Sequence, residues 1–103
     1  VGYRALYANL SNYNTADGAT ALLYNTSGTG NSAFGFQSLF NNTTGCANTS
    51  VGCYANSNNQ TGSYNTIIGY GAGQGTSTHN KSGNVFIGYQ AGYNENGSNK
   101  LYI

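Results

Sequence analysis

Apolar and polar residues alternate over short stretches of this chain, and the stretches recur. Residues 65–73 read NTIIGYGAG and residues 84–92 read NVFIGYQAG. Weaker copies begin at Asn14 (NTADGATAL), Asn31 (NSAFGFQSL) and Asn48 (NTSVGCYAN). Alternation over seven or eight residues is a strand signal, because successive strand side chains point to opposite faces. Internal recurrence at a fixed step is the signature of a repeat architecture.

Three columns agree in phase. The leading asparagines are Asn14, Asn31, Asn48, Asn65 and Asn84; four residues after each stands Gly18, Gly35, Gly52, Gly69 and Gly88. Seven after each stands Ala21, Ser38, Ala55, Ala72 and Ala91. An earlier copy survives as VGYRAL, and a sixth is expected to begin near Asn99. The step is seventeen residues three times, then nineteen, with the extra residues inside QGTSTHNKSG. Seventeen residues are too few for the helix pair of the common helical repeats, which takes over thirty. They suit one coil of a solenoid. The expected fold is therefore all-β: a parallel β-solenoid, or β-roll, of about six rungs, a rod near 30 Å long at roughly 4.8 Å per rung. Residues 1–103 read as a single repeat segment of a longer chain.

Within each copy, counting from the asparagine as zero, the odd positions collect Thr15, Ser32, Thr49 and Thr66, then Phe34, Val51, Ile68 and Ile87, then Phe36, Cys53, Tyr70 and Tyr89. That face is expected to supply the core through Phe34, Val51, Ile68 and Ile87, with the small column on the same side. The even face is also partly apolar, at Ala16, Ala33, Ile67 and Phe86. A thin coil encloses only one face, so the other calls for a partner. Glycine inside a strand is costly unless the backbone bends or another backbone approaches, so one glycine per rung implies a corner or a close approach. The asparagines suit either a stacked amide ladder or plain turn chemistry.

Composition narrows function by exclusion. Charged residues are 5% of the chain and the net charge is +1, which gives no electrostatic footprint for nucleic acid. No apolar run approaches the roughly 20 residues of a membrane span. The carboxylates Asp17 and Glu95 fall on distant rungs, so no acid–base pair forms and no enzyme is expected. No cofactor or metal site is expected either. Cys46 and Cys53 lack ligand spacing and read as unpaired packing residues. His79 reads as a solvated loop residue. GYGAGQG fits neither phosphate-binding consensus and reads as the small-residue end of a rung. Sequons occur at Asn25 and Asn41, as chance gives them in so Asn- and Thr-rich a chain.

The recurring N-[ST]-x-x-G-x-x-[AS] phrase with NNTTG-type turns resembles the head repeats of trimeric autotransporter adhesins. It is closer to the related arrays of bacterial and phage tail-fibre-like surface proteins, which often end in a phrase like GYNENGSNKLYI, here residues 92–103. The resemblance spans the whole chain. It implies a β-roll whose copies associate as a side-by-side homotrimer, the shaft or head of an extracellular fibre on a cell surface or virion. Attachment to a host-surface glycan or protein receptor would be its task. The seventeen-residue step is longer than in adhesin heads, and Asp17 stands where other copies have Phe, Val or Ile. Two other functions are weighed beside it: a filament whose rungs stack end to end, and an ice-binding solenoid.

Overall fold

In the computed structural model, which describes residues 1–103, the chain is a spiral of short strands with no helix. The strands are β1 (Thr15–Asp17), β2 (Ser32–Phe34), β3 (Thr49–Val51), β4 (Thr66–Ile68), β5 (Val85–Ile87) and β6 (Leu101–Tyr102). They form one parallel sheet in sequence order. Like positions pair: Thr15 with Ser32, Ser32 with Thr49, Thr49 with Thr66, Thr66 with Val85. The β-solenoid expected from the repeat is what the chain forms, as a body of 30 × 21 × 20 Å. Of 59 backbone hydrogen bonds only 10 lie within the strands. The turns therefore carry most of the rung-to-rung cohesion.

The sixth rung begins one residue later than the repeat count places it. Leu101 pairs with Val85, so Lys100 occupies the place that Asn84 holds below it, and Asn99 takes the residue ahead. The fifth repeat is sixteen residues long, and the chain shortens one turn to keep the strand in register.

The strand face that turns inward is the even one. Ala16, Ala33, Ser50, Ile67 and Phe86 are buried. Phe34, Val51, Ile68 and Ile87, expected in the core, lie outside at 39, 38, 38 and 36% exposure. Ala21, Ser38, Ala55 and Ala72 are nonetheless buried, although they share odd parity with the outward residues. The reason is the glycine between them. Gly18, Gly35, Gly52, Gly69 and Gly88 have φ between 125° and 137°, which bends the chain and breaks the alternation at that point. Counting parity across a corner assigns the two segments to one face wrongly.

The interior is narrow, and it fills by exchange. Where the strand offers Ala16 or Ala33, the opposite wall offers Leu22 or Leu39; these make one apolar cluster with Ala21. Where the strand offers Ile67 or Phe86, the wall offers Gly73 or Gly92. A Cβ on Gly73 would lie 3.2 Å from the Phe86 ring, and one on Gly92 2.5 Å from it. Ile67, Phe86, Ala55 and Ala72 form the second cluster. Between the two lies a polar layer of Ser50 and Asn56, both fully buried. This close filling follows from the density at which protein interiors pack.

Candidate functional site

The asparagine column is a ladder. Asn14 Oδ1 accepts the backbone N–H of Asn31 at 2.9 Å, and Asn31, Asn48 and Asn65 each do the same for the next asparagine at 3.0–3.1 Å. Asn84 Oδ1 accepts the Lys100 N–H at 2.8 Å. Each side-chain amide also donates across its own coil, from Asn31 to the Gly45 carbonyl and from Asn48 to that of Gly62. One side chain thus joins successive rungs and closes its own rung. Turn chemistry alone would do neither. Asn31, Asn48, Asn65 and Asn84 are buried, so each amide replaces hydrogen bonds otherwise left unmade, which cost about 1–3 kcal/mol apiece.

The glycine column combines both reasons for glycine. Beyond its positive φ, a Cβ on Gly52 would sit 2.6 Å from the Gly69 carbonyl oxygen, and one on Gly35 2.7 Å from that of Gly52. The corners stack backbone on backbone.

Two further columns escaped the sequence reading. Asn9, Asn25, Asn42 and Asn59 form a second amide column on the far wall. Asn25 donates to Asn9 Oδ1 at 2.7 Å, Asn42 to Asn25 Oδ1 at 2.8 Å, and Asn59 to the Gly62 carbonyl at 2.9 Å. Its signal is present as N-x-x-G at Asn25, Asn42 and Asn59, eleven residues after the first column. In a chain with so many asparagines it passes for turn composition. Asn25 is fully buried, which removes it as a glycosylation acceptor, while Asn41 donates to Asn58 Oδ1 of the next rung. The other column is Thr29, Cys46, Ser63, Ser82 and Ser98, where backbone N–H groups donate to the side-chain sulfur or oxygen of the next rung. Cys46 fills a hydroxyl position in it. Both cysteines are free thiols.

The longer rung alters the far wall. His79 is not a solvated loop residue: its backbone pairs with Asn59, and Nε2 lies 3.0 Å from the Gly73 carbonyl oxygen and 3.2 Å from that of Gln74. Burial, then the charge of Lys81, pushes its pKa down to about 4. Lys81 enters the interior at 2% exposure. Its Nζ stands 5.5 Å from the Phe86 ring centre and donates to the Glu95 carbonyl at 2.8 Å. Burial lowers the amine to about 8. Glu95 stands where the second asparagine column would continue. Its Oε2 accepts the Gly97 N–H at 2.8 Å, and Tyr102 donates its hydroxyl to Oε1. The Tyr102 bond, then that of Gly97, holds this carboxyl below its ordinary value.

GYGAGQG has a conformational explanation. Gly71, Gly73 and Gly75 have φ of 62°, 63° and 72°. Other rungs force non-glycine residues such as Gln37 and Leu39 into the same left-handed region, at 56° and 52°.

On the outside, the column Phe34, Val51, Ile68 and Ile87 runs beside Phe36, Tyr70 and Tyr89, which are 42, 49 and 74% exposed. The rings touch from rung to rung: Phe36 with Tyr54 at 5.4 Å, Tyr54 with Tyr70 at 6.0 Å, Tyr70 with Tyr89 at 5.7 Å. Asp17 precedes this stripe in β1, and Glu95 follows β5, so the two carboxylates sit near opposite ends of the array. No three His, Cys, Asp or Glu side chains come together. No helix is long and apolar enough to cross a membrane. No family model, curated protein or solved structure matches this chain.

Proposed function

We propose that this chain is a structural segment of an extracellular fibre in which three copies pack side by side, serving attachment. The observation that carries the reading is the outward apolar stripe. Phe34, Val51, Ile68 and Ile87 are each more than a third exposed in the single chain, with Phe36, Tyr70 and Tyr89 alongside. The stripe is continuous over four rungs, about 15 Å at the strand spacing. Contiguous exposed apolar surface of that kind marks an interaction site. A copy of the same chain presents the same stripe with the same rung spacing, so two copies match along their length. Closed symmetry permits two or three; the choice of three comes from the resemblance to trimeric adhesin and tail-fibre repeats. The amide ladders supply stiffness along the axis. Tyr13 and Tyr64, at 87 and 71% exposure outside the stripe, offer rings and hydroxyls to a glycan or protein receptor.

Light scattering on the purified chain, alone and with Ile68→Glu and Ile87→Glu together, tests the reading. The expected result is a trimer mass for the parent and a folded monomer for the double variant. A soluble, folded parent monomer removes the interface, a dimer removes the threefold arrangement, and growing fibres favour the end-to-end filament. The ice-binding reading has only a single row to rest on: Thr15, Ser32, Thr49 and Thr66 share the outward sheet face, Val85 interrupts the row after Thr66, and such a surface usually presents a double row of threonines. Thermal hysteresis in the parent that is lost in Thr49→Leu would support it.

A further inference from the structure

Seventeen asparagines occur in the chain, and one of them, Asn96, is followed by glycine. Most of the others are constrained: the ladder asparagines are buried with their amides bonded across rungs. Asn96 is exposed and precedes a residue without a Cβ to hinder approach to its nitrogen. Asparagine is chemically labile, and such a junction is where the lability is greatest. Here the attacking group is engaged. The Gly97 N–H donates to Glu95 Oε2 at 2.8 Å, and the Tyr102 hydroxyl holds the other carboxylate oxygen.

We propose that Asn96–Gly97 is a self-modification site that opens the last coil, and that Glu95, held by Tyr102, is its brake. In the reaction the Gly97 nitrogen loses its proton and bonds to Asn96 Cγ. The bond from Cγ to the side-chain nitrogen breaks, and that nitrogen leaves as ammonia with the proton. Water then opens the five-membered imide at one carbonyl or the other, giving an aspartyl or isoaspartyl residue. Glu95 opposes the first step twice. It holds the N–H whose proton the first step must remove, and its negative charge disfavours the amide anion beside it. The carboxyl is held ionised by the same two hydrogen bonds, so the brake stays on at neutral pH.

The consequence is local and directional. The Gly97 carbonyl accepts Asn84 Nδ2 at 3.1 Å, Ser98 Oγ accepts the Ser82 N–H at 2.9 Å, and Lys100 N–H donates to Asn84 Oδ1 at 2.8 Å. All three contacts depend on the number of backbone atoms between β5 and β6. An isoaspartyl linkage adds one carbon to that path and introduces a charge, which unseats β6 while leaving β1–β4 in register.

The test follows the 103-residue chain and a free NENGS peptide at mildly alkaline pH by peptide mapping and mass spectrometry. Isoaspartate is expected at Asn96 ahead of every other asparagine, more slowly than in the peptide. Glu95→Gln and Tyr102→Phe, the latter keeping the ring stacked on Phe86, should each speed it at least about tenfold. Gly97→Ala should abolish it. In aged protein, hydrogen exchange should rise at Leu101 and Tyr102 and stay unchanged at Ile67 and Ile68. Equal rates in parent, variants and peptide would overturn the brake. Earlier reaction at another asparagine, or unchanged exchange at β6 after modification, would overturn the site or its effect.

Discussion

Replacing Gly52 with alanine should be among the most damaging single-carbon additions in the chain. Gly52 has φ of 131°, a region that L-residues with side chains rarely occupy, at a cost on the order of 1–3 kcal/mol. The added Cβ would also lie 2.6 Å from the Gly69 oxygen, 2.7 Å from its carbonyl carbon and 3.2 Å from the Tyr70 nitrogen. These atoms are backbone and cannot rotate away. Relief requires the rungs to part at that corner, which lengthens the bonds from Gly69 N to Val51 O at 2.8 Å and from Gly71 N to Cys53 O at 2.9 Å. Strain plus weakened bonds totals about 3 kcal/mol or more. For a domain of this size that corresponds to a fall in Tm of roughly 12 °C or more. The control is Thr61→Val, at an exposed position whose side chain makes no hydrogen bond. Circular dichroism melts of the two variants and the parent decide the matter. If Gly52→Ala melts with Thr61→Val, the corner stacking does not govern stability.

Deleting Asn31 through Ala47, one whole repeat, should keep the fold because each rung meets only its neighbours; deleting Asn31 through Ser38 should abolish it, and circular dichroism separates the outcomes. Asn48→Leu should cost about 3 kcal/mol by stranding the Asn65 N–H and Gly62 carbonyl, whereas Asn12→Leu, exposed and unbonded, should melt with the parent. Lys81 is lowered to about 8 when folded, from 10.5. The unfolded chain therefore binds more protons between those values, so denaturant stability should rise as pH climbs from 8 toward 10 and lose that slope in Lys81→Met. His79, lowered from 6.5 to about 4, works in the acid range: stability should fall as pH drops from 6.5 toward 4, and less so in His79→Gln.

Repeat phase carried the architecture in the sequence itself. Asparagine, glycine and small-residue columns in step imply that like residues stack, and a step of seventeen leaves room for one coil and not for a helix pair. Glycine at a fixed phase announced a corner. A one-dimensional pattern suffices for this much because each rung repeats the constraints of its neighbours.

The inward face was not legible, and the reason is steric. Both strand faces carry apolar residues, so hydrophobicity alone could not choose between Phe34, Val51, Ile68 and Ile87 on one side and Ala33, Ile67 and Phe86 on the other. The choice rests on what fits opposite: Leu39 against Ala33, Gly73 and Gly92 against Ile67 and Phe86. That match joins residues six apart across a corner whose angle the sequence does not state. The placement of Lys81, His79 and Glu95 has the same origin. Two extra residues in one turn and one fewer in the next move the far wall relative to the strands. Only with the rungs stacked does a loop lysine end inside the coil, against Phe86. The sequence by itself determined that the chain would stack; the volume available inside each coil decided which side chains the stack would enclose.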